Sequence, residues 1–220
     1  MPACAAEEES AEGFVLAGGA SSRMGRDKAL VEVAGRPLAA HAVGILREAG
    51  LPARIAGART ELDNFAPVVK DAGGGPLAGV CAALEAAEAE LAVFLPVDMP
   101  LTPGALIGYL LHHARATGAA VTVPRQCGFA QTFPAVVRRA ALSELRRVLE
   151  NGEGGCFAAF TQAAERLGMP LAQVDVETLA QCGQVTHPLG IAGRHWLMNV
   201  NTPEEVEQAA KLLSGALRVS

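Results

Sequence analysis

The stretch from residue 16 to residue 28, Leu-Ala-Gly-Gly-Ala-Ser-Ser-Arg-Met-Gly-Arg-Asp-Lys, follows the short apolar run Gly13-Phe14-Val15 and has the residue types of a phosphate-holding loop. Gly18, Gly19 and Gly25 let the backbone approach a bulky anion and take dihedrals closed to other residues. Successive backbone N–H groups in such a turn form an anion-binding concavity. Arg23 and Lys28 can neutralise phosphate charge, Arg through a planar fork and Lys as a compact point charge. The spacing matches neither G-x-G-x-x-G nor G-x-x-x-x-G-K-[ST], so this is neither a dinucleotide fingerprint nor a Walker A loop. A structural glycine turn with a scattered basic pair is the plain alternative.

Asp98 is the second candidate. It closes the apolar run Leu91–Val97 and precedes Met99-Pro100. A carboxylate at the tip of a buried strand is costly to place without a partner. Mg²⁺ bridging it to a nucleotide phosphate is one partner; a turn aspartate ahead of a proline is the other reading. Asp71 follows a short apolar run, Pro67–Val69. Near the end of the chain, Asn199 and Asn201 precede Thr202-Pro203-Glu204-Glu205. Thr202 and Glu205 have capping-box spacing, Pro203 suits a first helical position, and the glutamates favour the positive end of the helix dipole. The cap accounts for residues 202–205 but not for the two asparagines.

Other reactive residue types form no pattern. His41, His112, His113, His187 and His195 share no metal-ligand spacing, and the five cysteines (Cys4, Cys81, Cys127, Cys156, Cys182) are scattered without a C-x-x-C pair. Cys127, before Gly128, reads as a loop thiol. The pairs Arg138-Arg139 and Arg146-Arg147 read as surface charges, with Arg138 the one that could edge an acceptor site. Trp196 reads as a core or lid residue rather than a stacking platform.

The elements that must position these residues alternate. Strands are expected at Phe14–Ala17, Ala53–Ala56, Pro67–Val69, Leu91–Leu95, Ala119–Val123, Gln131–Val137 and Leu171–Val176, several of them short apolar runs as in buried parallel sheets. Helices are expected over residues 38–49, 77–88, 140–150 and 156–167, from Pro103 with Thr102 as N-cap, and from residue 203. Such alternation predicts a three-layer α/β fold with a mostly parallel sheet. Ligands of such sheets bind outside the carboxyl ends of the strands. The glycine turn, Asp71, Asp98 and Asn201 all fall at expected strand ends.

The 220 residues are 50% hydrophobic but only 4% aromatic, so Ala, Leu and Val must fill the core of one α/β domain, residues 13–220. The acidic start, residues 1–12, lacks an apolar signal region and reads as a disordered tail. A net charge of −5 argues against a nucleic-acid-binding surface. No apolar stretch is long enough to span a membrane. Together with unpaired cysteines, this predicts a cytoplasmic protein.

Four motifs occur in order: Leu16-Ala17-Gly18-Gly19-x-Ser-x-Arg23-Met24-Gly25-x-x-Lys28, Gly75-Pro76-Leu77-Ala78-Gly79, Asp98-Met99-Pro100 and Asn199-Val200-Asn201-Thr202-Pro203-Glu204. Together they resemble the molybdenum cofactor guanylyltransferase family, over roughly residues 13–150 and again over 196–213. The resemblance implies a Rossmann-like nucleotidyltransferase fold and transfer of GMP from GTP to the terminal phosphate of molybdopterin, with Mg²⁺ as cofactor. By that resemblance the backbone of Leu16, Ala17, Gly18 and Gly19 borders the base and first phosphates. Arg23 and Lys28 hold the triphosphate, Asp71 lies in the nucleotide wall, Asp98 carries the magnesium, and Asn199 and Asn201 face the metal or the acceptor. A phosphate nucleophile is already ionised at neutral pH, so no general base is required.

Two departures keep alternatives open. Where the family usually has a polar residue after the second strand, this chain has Ala56-Gly57-Ala58, and residues 152–195 match nothing with confidence. A cytidylyltransferase, or a sugar- or isoprenoid-phosphate nucleotidyltransferase of the same fold, is the nearest alternative. A non-catalytic carrier of nucleotide or cofactor, working with molybdoenzyme maturation proteins, is the other.

Overall fold

Residues 9–18, 27–57, 60–71, 73–152 and 154–215 are described by the computed structural model. In chain order the elements are β1 (Ala11–Leu16), β2 (Glu32–Val33), β3 (Arg36–Pro37), α1 (Leu38–Glu48), β4 (Ala53–Ala56), β5 (Val68–Val69), α2 (Pro76–Ala86) and β6 (Leu91–Pro96). They continue with α3 (Gly104–Thr117), β7 (Val121–Gln126), β8 (Phe129–Ala130), β9 (Ala135–Arg138), α4 (Leu142–Asn151), α5 (Cys156–Leu167), β10 (Leu171–Asp175), α6 (Val176–Gln181) and α7 (Pro203–Leu213).

The main sheet has the order β10-β7-β9-β6-β1-β4-β5, with β8 paired to β7, while β2 and β3 form a separate hairpin. Strand β1 pairs in parallel with β4 and β6, β4 with β5, and β7 with β10. Strand β9 runs antiparallel to β6 and β7. Side chains of the central strands alternate between two cores. Val15, Leu91, Val93 and Leu95 join α1, α3, α6 and α7 on one face; Phe14, Leu16, Ala92 and Phe94 join α2, α4 and α5 on the other. Strands covered on both faces read as continuous apolar runs, which is why β6 is so plain in the sequence. The result is the expected three-layer α/β architecture with a mainly parallel sheet. Phe14 and Phe94 stack with centroids 5.8 Å apart at its centre.

Four expectations change. Strand β1 opens at Ala11, so the end of the acidic segment is not a disordered tail. Glu12 accepts hydrogen bonds from the N–H groups of Glu88 and Ala89, and Glu9 pairs with Arg138. Thr102 does not cap α3: its hydroxyl donates instead to the carbonyl of Trp196 at 2.9 Å, and Pro103 takes the N-cap position. The strand expected over Gln131–Val137 begins only at Ala135, because Pro134 has no N–H to give a ladder. Strand β7 instead runs on through Arg125-Gln126 into a hairpin with β8. Its turn residues Cys127 and Gly128 both have positive φ, 51° and 79°.

Residues 152–195, unmatched in the sequence, hold α5, the edge strand β10 and α6. They deliver Trp196, whose buried indole N–H donates to the carbonyl of Ile191 at 2.7 Å. Trp196 is thus a core residue that fixes the approach to Asn199-Val200-Asn201.

Candidate active site

The register of the sheet brings Gly18, where the glycine turn begins, and Asp98 to one edge. Leu16 lies opposite Pro96, and the N–H of Val97 donates to the carbonyl of Leu16 at 3.1 Å. Gly18 and Asp98 each stand two residues beyond that pair. The end of β1 is held from the other side as well, since the N–H of Ala17 donates to the carbonyl of Ala56 at 3.0 Å. The turn therefore leaves a fixed strand end. Gly19 and Arg23 lie outside the described residues, as does Ala58.

Asp71, after β5, flanks the turn opposite Asp98. A Cβ at Gly18 would fall 2.8 Å from Oδ2 of Asp71, so glycine is what lets the backbone pass beside this carboxylate. Oδ1 of Asp71 accepts from the N–H of Gly73 at 3.1 Å, and Oδ2 also packs near Gly79.

Lys28 opens a short 3₁₀ turn, Lys28–Leu30, whose N-cap Asp27 accepts from the N–H of Ala29 at 3.1 Å. Ala29 is buried in the core with α1, which anchors the turn and directs Lys28 across the edge. Its ammonium donates to Oδ2 of Asp98 at 2.6 Å and to Oδ1 of Asn201 at 2.5 Å. Lys28 and Asp98 are each 19% exposed, so the pair sits at the floor of an open site rather than in the core. The segment bearing Asn201 is tied to the same strand end, because the N–H of Val200 donates to the backbone carbonyl of Asp98 at 2.8 Å. Three expected site residues, far apart in the chain, are thus in direct contact. Asn199 is exposed and stands outside this cluster.

Oδ1 of Asp98 is buried and, among the described residues, accepts no hydrogen bond. A hard cation suits such an oxygen, and Mg²⁺ is ordinarily held by one or two carboxylates together with substrate phosphates. Among the described residues no group of three or more His, Cys, Asp or Glu side chains forms a cage. The donors present therefore fit a cation completed by phosphate oxygens.

The remaining candidates fall away from the edge. Arg138 lies opposite Leu91, at the start of β6 and so at the far end from Asp98, where it pairs with Glu9 and donates to the carbonyl of Ala119. It cannot edge an acceptor site there. His113 stacks on Tyr109, with centroids 6.5 Å apart, along α3. Cys127 lies on the exposed hairpin, where the Glu177 carboxylate beside its thiol raises its pKa. A cavity of about 540 Å³, lined by Gly74, Pro76, Phe133, Leu149, Gly155 and Cys156 among others, opens between α2, α4 and α5. Phe133 precedes β9 and so stands at the carboxyl end of β6, which puts this cavity on the Asp98 edge of the sheet.

One contact of this site is not evident from the sequence. Glu205 reads as a helix cap, yet its carboxylate also accepts from the N–H of Asn201 at 2.6 Å. An acidic residue four positions after a site asparagine was the available signal.

Residues 13–167 match the family described as the MobA-like NTP transferase domain. The chain is 48% identical over 101 residues to the molybdenum cofactor guanylyltransferase of Xanthomonas euvesicatoria, covering 45% of this chain and 52% of that protein. It is 37% identical over 169 residues to the molybdenum cofactor guanylyltransferase of Pseudomonas putida, covering 74% and 87%. Among solved structures, the molybdopterin-guanine dinucleotide biosynthesis protein A of Archaeoglobus fulgidus superposes with a TM-score of 0.74 at 20% identity, covering 92% of this chain and 98% of that one. The 2-C-methyl-D-erythritol 4-phosphate cytidylyltransferase of Thermus thermophilus gives 0.64 at 20% identity, with the same coverage. These neighbours share the Rossmann-like nucleotidyltransferase fold. The family match spans both the glycine turn and Asp98, the sheet register puts Gly18 and Asp98 on one edge, and the chain belongs to the MobA-like NTP transferase family, whose members are nucleotidyltransferase enzymes.

Proposed function

We propose that this enzyme transfers GMP from GTP to the terminal phosphate of molybdopterin, with Mg²⁺ as cofactor, in the cytoplasm. The observation that carries the reading is the meeting of Lys28, Asp98 and Asn201 beside the glycine turn. Relatives named molybdenum cofactor guanylyltransferase supply the base and the acceptor. Four described cysteines are free thiols, as suits a reducing compartment, and among the described residues no helix is long and apolar enough to cross a membrane.

In this reading an acceptor phosphate oxygen attacks the α-phosphorus of GTP, the α–β bridging P–O bond breaks, and pyrophosphate leaves. Both reactants are anions, so alignment and charge neutralisation dominate the barrier. Leu16, Ala17, Gly18 and Gly19 offer backbone to the nucleotide, and Asp71 walls it on the α2 side. Arg23 and Lys28 neutralise phosphate oxygens, with Lys28 leaving Asp98 to do so. Asp98, its Oδ1 without a donor among the described residues, would hold the Mg²⁺, which supplies further charge neutralisation on the phosphates when bound. Asn199 and Asn201 face the metal or the acceptor.

Thermal shifts with GTP, CTP, ATP and UTP in Mg²⁺, followed by pyrophosphate release with molybdopterin, test the proposal. The largest shift with GTP and stoichiometric pyrophosphate support it. A preference for CTP would overturn the guanylyl assignment and leave a nucleotidyltransferase. Nucleotide binding without pyrophosphate release would make the chain a carrier for molybdoenzyme maturation.

A further inference from the structure

We infer that Glu205 is a positioning residue, which orients Asn201 and through it the ammonium of Lys28. The inference rests on the nucleotide-site reading above. In a capping box the N3 carboxylate accepts from the N-cap N–H, and the N-cap hydroxyl accepts from N3. Both bonds are present: Thr202 N–H to Oε2 of Glu205 at 2.9 Å, and Glu205 N–H to Oγ1 of Thr202 at 3.3 Å. A third bond goes beyond the box. The N–H of Asn201 donates to the same Oε2 at 2.6 Å.

Those two N–H groups belong to the peptide planes on either side of the Asn201 α-carbon. A peptide unit is planar, so holding both planes on one oxygen restricts the φ and ψ between them and sets the direction of the side chain. The preceding residue is fastened too, since the N–H of Val200 donates to the backbone carbonyl of Asp98. Residues 200–202 are therefore fixed at one end to the strand tip and at the other to α7, and α7 itself packs on β2. Asn201 presents its Oδ1 to Lys28 from this bracket at 2.5 Å. An ammonium has three donors. With one held by Asn201, the direction of the others is set, toward Asp98 and, in the reading above, toward an entering phosphate. Glu205 touches none of the reacting groups; it acts through Asn201.

A helix cap alone predicts a change in stability and nothing in ligand affinity, which separates the two accounts. The measurement is the affinity of a fluorescent GTP analogue in Mg²⁺, with melting temperature read in parallel. Glu205→Ala should weaken binding about fivefold, the value of one ordinary hydrogen bond. Glu205→Gln, whose amide oxygen can accept both N–H groups, should stay within about twofold of wild type. Thr202→Ala removes the cap hydroxyl but not the Asn201 bond, so it should lower the melting temperature and keep affinity. Glu205→Ala added to Asn201→Ala should cost no further affinity, as residues acting in series do not add. Unchanged affinity in Glu205→Ala, while Lys28→Ala loses it, would overturn the inference and spare the site. Equal loss in Thr202→Ala would reduce Glu205 to a cap. Unchanged affinity in Lys28→Ala would overturn the nucleotide-site reading itself.

Discussion

Oδ2 of Asp98 lies 2.6 Å from the ammonium of Lys28, while Oδ1 of the same carboxylate is buried and has no hydrogen-bond donor among the described residues. One oxygen is satisfied by a positive charge from the chain, and the proposed Mg²⁺ would satisfy the other. The two residues are 70 positions apart, and each is placed by a different element: Asp98 by the tip of β6, Lys28 by the turn anchored through Ala29.

Replacing Asp98 with Asn keeps the shape of the side chain and removes its charge. Pyrophosphate release should fall by about 100-fold or more, the scale seen when a group stabilising transition-state charge is lost. Stability should change little, because the pair is partly exposed and such pairs are worth about 1 kcal/mol or less. Steady-state turnover across a Mg²⁺ titration, with a melting curve as control, checks both. Wild-type turnover in Asp98→Asn would remove the residue from the reaction.

If Asp98 holds the cation as proposed, Lys28 competes with that cation for the same carboxylate. Lys28→Met should therefore bind Mn²⁺ without nucleotide about tenfold more tightly than wild type, since a like charge at contact distance is removed. GTP affinity should fall in the same variant. Loss of the free Mn²⁺ resonance signal on titration reports the metal affinity directly. If the wild-type and variant curves coincide, Lys28 does not guard Asp98.

Much of this arrangement is readable from residue order alone, for identifiable reasons. Strands covered on both faces have to be apolar runs, so β6 stands out, and a carboxylate at the end of such a run marks the edge where ligands of such sheets bind. The capping box of α7 is local chemistry and reads directly from Thr202 and Glu205. Contacts closed only by topology do not read in this way. Nothing near Lys28 tells of Asn201, 173 residues on, and nothing near Glu9 tells of Arg138. The direction of β9 is set by a connection rather than by its own residues, and that direction is what carries Arg138 away from the site.

Gly18 is held to glycine by its neighbour rather than by its own dihedrals. Gly18→Ala would place a methyl 2.8 Å from Oδ2 of Asp71, which the Gly73 N–H holds in place through Oδ1. The carboxylate has to move, and the turn or the nucleotide wall moves with it. Nucleotide affinity should drop more than stability, the latter by about 1 kcal/mol. In an Asp71→Ala background the same substitution has room, so its further effect on affinity should vanish. A double-mutant cycle on GTP binding checks this, and full additivity would refute the contact.

Glu9 ties the start of the chain to the opposite end of the sheet. The guanidinium of Arg138, by hydrogen bond and by charge, holds its carboxyl below the ordinary value of 4.5. A carboxylate with a depressed folded pKa adds stability above its unfolded pKa and loses it as pH falls through the folded one. Glu9→Gln should therefore be less stable than wild type near neutral pH, and the gap should close only below the ordinary carboxylate range. The side chain is 37% exposed, so solvent screening keeps the gap small. Urea midpoints of the two proteins, taken at a series of pH values through the acid range, give the curve. A gap that persists unchanged into strong acid would mean that packing of residues 9–12, rather than the charge on Glu9, holds the strand start in place.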